Sequence, residues 1–378
     1  MTTENTLTHA RLILPDAEIL GTLVLRDGRI ADIQPGRAHH ASAIDCGGDI
    51  VIPGVVDVHT DNLERQVQPR ANARWPSLSA FIAHDAQCAA AGVTTVLDAL
   101  CLGDLGFDQG RDQTFLDGVR DLTALHAQSF MKAEHLLHLR CELPARDMPG
   151  LLEGVADHPL IGMVSLMDHS PGVGQYRDLS RYRAMRIKQT RMTDAEIDAR
   201  IDHLQAQRAE LREVQRRLVI DRFAGRDIPL ASHDDEDAAE VARNARDGIR
   251  VSEFPVTMEA ALEAARLGVG VIAGAPNIVR GGSHSGNVAA LDLVRANAVH
   301  VLASDYVPPA LIEAAFIIAQ VVGLPRAIAS ITSAPATMCG LSDRGTLAPG
   351  LRADVVRITR HGAMPVVCQV WRGGGRVI

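Results

Sequence analysis

Short runs of apolar, β-branched residues recur along the chain from about residue 55 onward, separated by stretches with helical periodicity. Eight such runs can be counted, at 55–61, 94–100, 135–143, 161–170, 227–235, 249–257, 268–277 and 299–306. Continuous apolar strands that alternate with helices are typical of a parallel sheet covered on both faces. Eight such units predict an α/β fold of the (β/α)8 TIM-barrel type, with a doubly wound open sheet as the structural alternative.

The two ends of the chain carry a different pattern, in which short alternating runs are separated by turn residues. Residues 8–34 contain two such runs, and the sequence RDG at 26–28 is typical of a tight hairpin turn. Similar runs return after the last predicted helix. The pattern therefore predicts a small β-sandwich subdomain made from residues 1–52 and 344–378, beside a barrel that spans 53–343.

One connection between predicted strands is much longer than the others. Residues 172–226 form a mostly helical insertion, in which Thr193 and Glu196 have the spacing of a capping box at a helix start. The stretch 176–191 within it carries six basic residues against one acidic residue, although the chain as a whole is acidic. This stretch could close over a polyanionic substrate, or it could be a solvated helix face or a contact between subunits.

Composition limits the classes of function. The chain has 378 residues, 47% hydrophobic residues, only 3% aromatic residues and a net charge of −8. Few aromatic side chains and a negative charge disfavour nucleic-acid binding. No pair of the six cysteines has the C-x-x-C spacing, no signal peptide is recognisable, and no apolar run is long enough for a membrane span. These features predict a soluble, reduced, cytoplasmic protein.

Residues of metal-ligand type stand at strand ends. Five of the eight predicted strands end in a histidine or a carboxylate, at the end where such barrels carry catalytic groups. Residues two apart on a strand point to the same side, so the first two candidates can reach one ion. The candidates at these strand ends are His59 and Asp61, Glu142, Asp168 and His169, His233 with Asp234 and Asp235, and Asp305. This set without thiolates suits Zn²⁺, with Mn²⁺ or Fe²⁺ as alternatives, and Glu142 could bridge two ions.

Each candidate also has an ordinary structural interpretation when it is taken alone. A single histidine at a strand end is more often a hydrogen-bonded part of the fold, and Asp305 could cap the helix that follows it. The acidic run at 234–237 is typical of solvated residues that open a helix. The metal site is favoured because the candidates fall together at strand ends.

A glycine-rich loop follows the seventh predicted strand, and loops in this position of a barrel often bind phosphate. It offers backbone amides and several charge-assisted or polar donors, namely Asn277, Arg280, Ser283, His284 and Asn287. No Gly-Lys-Ser/Thr follows, so this is not a Walker A loop, and the alternative is a flexible surface loop. Arg65 and Arg70, shortly after the first candidate ligands, could also face phosphate groups.

Several stretches of the chain resemble one family closely. VIPGVVDVHTD after an N-terminal β segment, with GTLAPGLRADVV near the end, resembles the amidohydrolase superfamily. The more specific stretches are HTDNLERQVQPR (59–70), HLRCEL (138–143), MDHSPGVGQY (167–176), ASHDDED (231–237), GAPNIVRGGSHSGN (274–287) and ASDYVPPALIEAAF (303–316). Together they resemble the phosphonate metabolism protein PhnM family, nearly from end to end.

The resemblance implies a barrel with a divalent metal site and a specific activity. That activity is hydrolysis of α-D-ribose 1-methylphosphonate 5-triphosphate to the 5-phosphate and pyrophosphate, in the carbon–phosphorus lyase pathway. The resemblance also implies a ligand set, because the family's ligand positions fall on His59, Asp61, Glu142, His169, His233 and Asp305. Where many amidohydrolases have His-x-His, this chain has His59-x-Asp61, which is the pattern of the PhnM family.

The chemistry expected from this resemblance is in-line attack of an activated water on the α-phosphorus, with pyrophosphate as leaving group. Asp305 is the predicted catalytic residue, as a ligand or as the proton acceptor. The expected partners are a small phosphorylated substrate and further copies of the chain in a homo-oligomer. No nucleic-acid or membrane partner is expected.

Two other functions remain open on the sequence alone. The first is a cyclic-amide or N-acyl hydrolase, in which the same metals would activate water against a carbonyl group. Such an enzyme would not need the loop at 277–287 or the basic stretch. The second is a catalytically inactive barrel that serves as a scaffold, which should have lost several of the candidate ligands.

Overall fold

The computed structural model describes residues 4–70, 73–106, 110–190, 192–283 and 286–378. The chain begins with five strands, β1 (Glu4–Ile13), β2 (Glu18–Arg26), β3 (Arg29–Pro35), β4 (Ile44–Asp45) and β5 (Ile50–Pro53). Asp27 and Gly28 both have positive φ, at 49° and 80°, in the two-residue turn between β2 and β3. This is the hairpin that the sequence predicts, because such turns require left-handed backbone at both central residues.

Eight parallel strands form the barrel, in sequence order around the ring. They are β6 (Val55–Thr60), β7 (Val93–Leu102), β8 (Glu134–Glu142), β9 (Ile161–Met167), β10 (Leu230–His233), β11 (Val251–Glu253), β12 (Gly270–Gly274) and β13 (Val301–Ala303). Each lies within or overlaps one of the eight predicted runs. The ring closes between the last and first strands, where Asp305 N donates to His59 O (3.0 Å) and Asp61 N donates to Asp305 O (2.6 Å). The predicted barrel is therefore confirmed.

Helices cover the outside of the barrel. They are α1 (Asn62–Val67), α2 (Ser77–Ala90), α3 (Arg111–Leu125), α4 (Met148–Val155), a 3₁₀ turn (Gly174–Tyr176), α5 (Leu179–Thr190), α6 (Asp194–Phe223), α7 (Ala238–Arg246), α8 (Met258–Arg266), α9 (Ala275–Val279), α10 (Ala290–Arg295), α11 (Ala310–Val322), α12 (Leu324–Ala329) and α13 (Ser333–Met338). α6 starts with the predicted capping box between Thr193 and Glu196. Within the described ranges, no helix combines the length and apolar character needed to cross a membrane.

The two ends of the chain meet in one sheet, as predicted. The last strands, β14 (Val355–His361), β15 (Met364–Arg372) and β16 (Gly375–Arg376), follow the barrel. β14 pairs with both β5 and β15, so the C-terminal strands extend the N-terminal sheet. Buried Leu7, Leu23 and Trp371 contribute to the apolar core of this sheet.

The barrel interior is apolar below the strand ends. Strands around the ring contribute buried side chains to it, among them Val58, Leu97, Met163, Val251 and Val301. Such layers make the barrel a packed core and not a pore. Polar side chains are therefore concentrated at the carboxyl ends of the strands, where the core stops and the connecting loops begin.

Candidate active site

His59 and Asp61 lie at the carboxyl end of β6, and both point into the mouth of the barrel. The ring of His59 is buried, and its Nε2 lies 3.5 Å from Asp61 Oδ1. Its other nitrogen, Nδ1, lies 2.7 Å from Glu253 Oε1. Burial opposes a charge on this ring, but Glu253 and Asp61 together raise the pKa of His59 to about 10.

Glu253 ends β11 and is fully buried at the base of the site. Besides His59, it contacts Ser165, whose Oγ lies 2.8 Å from Glu253 Oε2 and 2.5 Å from His138 Nε2. Burial lowers the pKa of His138 to about 4, and this ring donates through Nδ1 to the Val58 carbonyl. Glu253 thus holds the first histidine in one orientation through its Nδ1 side, which directs Nε2 toward Asp61.

His169 and His233 form the opposite side of the site. Their rings are 5.6 Å apart, and His169 Nδ1 lies 2.5 Å from Glu142 Oε2. Burial of Glu142 opposes its ionisation, but His169 keeps the pKa of this carboxyl below its ordinary value. Glu142 therefore contacts Nδ1 of His169, and only Nε2 of this ring remains for another partner. The sequence had suggested Glu142 itself as a bridge between two ions.

Asp234 and Asp305 complete the set of carboxylates. Asp234 Oδ2 is buried and accepts no hydrogen bond among the described residues, although it lies 3.2 Å from His233 Nδ1. Burial and the neighbouring Asp61 carboxylate raise the pKa of Asp305 above its ordinary value. Asp234 and Asp235 are both buried, so the interpretation of the acidic run 234–237 as fully solvated is wrong for these two residues. Within the run 234–237, it is Asp237 that caps α7, because its side chain accepts a hydrogen bond from Glu240 N.

The candidate residues fit a divalent metal ion in two places. The ligand atoms of His59, Asp61 and Asp305 lie within 4.8 Å of one another, as do those of His169, His233 and Asp234. The 3.5 Å between His59 Nε2 and Asp61 Oδ1 is the separation expected of two ligands that share one ion at about 2.0 to 2.2 Å. The buried Asp234 Oδ2, which lies 3.2 Å from His233 Nδ1, also suits an ion shared with this histidine, because a buried carboxylate needs a positive partner.

Arg140 is a buried cation at the centre of the site. It stands two residues before Glu142 on β8, so both side chains face the barrel mouth. Its Nη1 donates to Asp61 Oδ1 at 2.5 Å, while its Nε makes no hydrogen bond within the described part of the chain. Burial opposes the charge, but Asp61 keeps the guanidinium protonated by raising its pKa further.

A cavity of about 270 Å³ opens beside the candidate ligands, and we call it the loop chamber. The predicted substrate-binding residues Asn277, Arg280, Ser283 and Asn287 all line it. Asn277 also fixes the loop, because its Oδ1 accepts from Ala290 N at 3.0 Å. His284 lies outside the described residues. The loop that the sequence suggested for phosphate binding is therefore next to the candidate metal ligands.

A second cavity of about 480 Å³ shares Arg140 with the loop chamber, and we call it the arginine chamber. Three arginines contribute to its wall, namely Arg111, Arg140 and Arg186, and the last of these belongs to α5. The same helix reaches the glycine-rich loop, since the guanidinium of Arg181 occupies the space that a side chain on Gly286 would need. The basic stretch therefore lies over the site.

Two arginines suggested by the sequence lie away from the cavities. Arg70 is exposed and pairs through its backbone with Ala73, and it is absent from the lining of both chambers. Arg65 is exposed and donates to the Tyr306 carbonyl at 2.7 Å. Arg65 therefore supports the backbone next to Asp305 and does not line either chamber.

Sequence reasoning missed Glu253 and Arg140, and it interpreted Asp234 as part of a solvated acidic run. Glu253 also ends a barrel strand, but it stands inside the apolar run IRVSEFPVT, which continues to residue 257 and hides the strand end. A carboxylate inside an otherwise apolar strand was the available signal, because such a group needs a partner. Arg140 carried the same signal, as a cation within the apolar strand β8.

A search of protein-family models gives no match. A curated relative is 37% identical over 373 residues, covering 98% of this chain and 99% of its own length. It is the α-D-ribose 1-methylphosphonate 5-triphosphate diphosphatase of Escherichia coli (strain K12). Similarity at this level along the whole chain identifies a common family.

Solved structures resemble the fold from end to end. An N-isopropylammelide isopropylaminohydrolase from Burkholderia multivorans has a TM-score of 0.60 at 20% identity, covering 99% of this chain and 98% of its own. An N-acetyl-D-glucosamine-6-phosphate deacetylase from Mycobacterium smegmatis has a TM-score of 0.64 at 15% identity, covering both chains fully. A structure described as an amidohydrolase has a TM-score of 0.57 at 15% identity, covering 99% of this chain and 98% of its own. The chain is a member of the α-D-ribose 1-methylphosphonate 5-triphosphate diphosphatase family, and it has the fold of these solved structures.

Proposed function

We propose that the protein hydrolyses α-D-ribose 1-methylphosphonate 5-triphosphate to the 5-phosphate and pyrophosphate, as a step of phosphonate catabolism. The observation that carries this proposal is the 37% identity along the whole chain to an enzyme named for this reaction. The site agrees with a substrate that has anionic groups on both sides of the reacting phosphorus, because arginines line both chambers. An amide substrate without anionic groups would have no use for these charges.

A divalent ion fits the proposed ligands, and Zn²⁺ is the ion we expect, with Mn²⁺ or Fe²⁺ as alternatives. His59, Asp61 and Asp305 would hold one ion, and His169, His233 and Asp234 a second one. In this arrangement Glu142 orients His169 through its Nδ1, as Glu253 does for His59. When bound, such ions supply Lewis-acid polarisation of a phosphoryl oxygen and lower the pKa of a coordinated water.

The chain's own residues would perform the remaining steps. Asp305 would accept the proton of the attacking water, because a raised pKa makes its carboxylate a stronger base than an ordinary one. Arg140 would stabilise charge on the transferring phosphoryl group from a water-poor position, where its field is weakly screened. Asn277, Arg280, Ser283 and Asn287 would hold one end of the substrate in the loop chamber.

Other parts of this proposal concern the state of the enzyme. We propose that it works in the cytoplasm as a homo-oligomer, and that residues 53–343 form the catalytic unit with 1–52 and 344–378 as an attached sheet. The six cysteines are all free, which suits a reducing compartment. Light scattering of the purified protein would test the oligomer, since a mass of one 40.5 kDa chain would exclude it.

The test is pyrophosphate release from ribose 1-methylphosphonate 5-triphosphate, and from ATP as a surrogate, with and without added Zn²⁺ or Mn²⁺. We expect release that requires the metal and is faster with the phosphonate substrate. No release from either triphosphate by protein shown to contain metal would overturn the proposal. It would favour the alternative of a cyclic-amide or N-acyl hydrolase, which hydantoin or acyl-amide substrates would then reveal.

A further inference from the structure

The two chambers have different linings, although four residues contribute to both. Asp61, Arg140, His169 and Gln175 line both of them, so the candidate metal ligands lie at the boundary. A reacting phosphorus bound at this boundary would lie next to both chambers. In-line displacement places the attacking water and the leaving pyrophosphate on opposite sides of the phosphorus, while the ribose oxygen stays bonded beside this line. The ribose and the pyrophosphate therefore extend from the phosphorus in different directions, and each can occupy its own chamber.

The arginine chamber has more cationic side chains than the loop chamber. Its lining has three guanidinium groups and three carboxylates, Asp61, Asp104 and Glu142. The described lining of the loop chamber has two guanidinium groups, Arg140 and Arg280, and three carboxylates that are all proposed metal ligands. Of the arginines, only Arg140 is common to both chambers.

Two aromatic rings flank the Arg186 guanidinium in the wall of the arginine chamber. The Arg186 guanidinium lies 5.8 Å from the ring centre of Tyr176 and 5.2 Å from that of Tyr182. Tyr182 is almost fully buried, and the Tyr176 ring lies 6.2 Å from that of His169. Two aromatic faces restrict the arginine, so less conformational entropy is lost when it binds an anion.

The loop chamber has a different lining, which is partly apolar. Phe254, Pro255, Ile272, Pro276 and Val288 all contribute to it. Such a surface suits the carbon faces of a sugar ring, while the polar loop residues can bind a single anionic group. The two terminal phosphates of a 5-triphosphate carry more negative charge than one methylphosphonate group.

We propose that the arginine chamber, through Arg186 of α5 together with Arg111 and Arg140, binds the pyrophosphate that leaves, while the loop chamber binds the ribose with its 1-phosphonate. This assignment rests on the proposed function. It gives the basic segment a specific task, since α5 places a cation against the leaving group. It also assigns the glycine-rich loop to the sugar end of the substrate and not to the terminal phosphates.

The test measures binding of each product separately to the metal-loaded enzyme by calorimetry. The probes are inorganic pyrophosphate and ribose 1-methylphosphonate 5-phosphate, and the variants are Arg186→Gln and Arg280→Gln. We expect Arg186→Gln to weaken pyrophosphate binding by about 10-fold or more, because a charge-assisted contact is lost. The same variant should change the affinity for the ribose product by less than about 2-fold. Arg280→Gln should weaken binding of the ribose product and leave the affinity for pyrophosphate nearly unchanged.

Controls separate a local effect from a general one. Lys188→Gln removes an exposed charge from the same helix and should weaken neither product. Arg111→Gln changes the same chamber from a different element and should repeat the Arg186→Gln result. Unchanged pyrophosphate affinity in both chamber variants, or equal weakening of both products, would overturn the assignment.

Turnover distinguishes failure of this assignment from failure of the proposed function. Wild-type enzyme that hydrolyses the triphosphate but binds pyrophosphate independently of Arg186 and Arg111 would overturn the assignment alone. Wild-type protein that binds pyrophosphate through Arg186 but releases none from either triphosphate would overturn the proposed function, and the anion site would stand.

Discussion

Three residues at the mouth of the barrel have a backbone conformation that side chains rarely adopt. Asp234, Phe254 and Asp305 have φ values of 57°, 55° and 56°, and they follow β10, β11 and β13. The left-handed conformation of such residues costs on the order of 1–3 kcal/mol each, so it persists only where surrounding contacts impose it. Two of the three carry proposed ligands, which indicates that backbone strain here directs carboxylates toward the site.

Asp305 allows a direct test of this interpretation. Asparagine has nearly the same shape as aspartate and tolerates positive φ well, so Asp305→Asn should preserve the fold. It should lower kcat by about 100-fold or more, because the proton acceptor and one ligand charge are lost. Pyrophosphate release and the thermal midpoint would be measured together. Near-normal turnover in a metal-loaded, folded variant would refute the assignment.

Glu253 is the second residue-scale test, because it contacts His59 and no substrate chamber. Replacing Glu253 with Gln removes the charge that faces His59 Nδ1 at 2.7 Å. Changes of this kind typically lower metal affinity by about 10- to 100-fold. Competition with a chelating dye would measure the affinity for Zn²⁺, with Glu259→Gln, on the exposed face of α8, as matched control. Equal affinity in both variants would show that Glu253 does not support the metal centre.

The predictability of the site differs from residue to residue. His59 and Asp61 were predictable because strand geometry alone places residues two apart on one side. The pairing of Glu142 with His169 was not predictable, since it depends on how β8 and β9 are staggered, which local sequence does not determine. Arg70 was expected at the site from its nearness to Asp61 in sequence, but its side chain is exposed and lines neither chamber.

At the scale of elements, a buried polar cluster joins α2 to the barrel. His135 on β8 lies 2.8 Å from Asp98 on β7 and 3.3 Å from Asp85 on α2. Asp98 also lies 2.6 Å from His84, which accepts a hydrogen bond from Asn62 of α1 at 2.9 Å. Asn62 is the neighbour of Asp61. The cluster therefore supports the segment that carries the first two candidate ligands.

This cluster predicts a pH dependence of stability. Burial opposes the charge on His135, but the carboxylates of Asp98 and Asp85 raise its pKa to about 9. Because the folded-state pKa lies above the ordinary value of about 6.5, this stabilisation is complete below pH 6.5 and is lost as pH rises through 9. Cys88 and Phe81 also border the cluster, and burial raises the pKa of the thiol, so it stays neutral across this window.

The comparison is between wild type and His135→Gln in urea at several pH values. The difference between the unfolding midpoints of wild type and variant should be largest near pH 6.5, with the variant less stable. This difference should become smaller toward pH 9.5. Lys132→Gln, near the same strand but half-buried at the barrel base, provides a control for a general effect of charge. A gap that stays constant across the range would show that His135 is not the charged partner of these carboxylates.

The positions of helices were also predictable to different degrees. The capping box of Thr193 and Glu196 predicted the start of α6, because its hydrogen bonds are local. The position of α5 over the active site was not determined, since its contacts with the loop at Gly286 and with Tyr176 are long-range. A basic helix in an acidic chain indicated a functional surface, but charge alone does not say where a helix packs.

At the scale of the whole molecule, the terminal sheet and the barrel are joined at β6, next to the candidate ligands His59 and Asp61. Only Gly54 separates β5 from β6, and it packs so closely against Thr94 and Asp354 that a side chain there would overlap both. Glu134 at the start of β8 accepts from Arg344 at 3.0 Å and from Arg352. The sheet cannot separate without disturbing β6, β7 and β8.

This connection predicts that sheet and barrel unfold together and respond together to metal. Trp371 is fully buried in the sheet core, and Trp75→Phe would remove the other, exposed tryptophan and leave Trp371 as sole reporter. Its fluorescence and the far-ultraviolet signal of the barrel helices should then have one common thermal midpoint. Metal at 100 times its Kd should raise the midpoints of the two signals by the same amount, because binding to the folded state contributes about 2.7 kcal/mol.

Glu134→Gln tests the link that produces this common behaviour. It leaves two largely buried arginines without their shared carboxylate, so both midpoints should fall, in line with the cost of breaking a partly buried ion pair. They should still coincide, because β14 remains hydrogen-bonded to β5. If the Trp371 signal changed at a lower temperature, and this temperature did not shift with added metal, the sheet would unfold independently. It would then have no mechanical connection to His59 and Asp61.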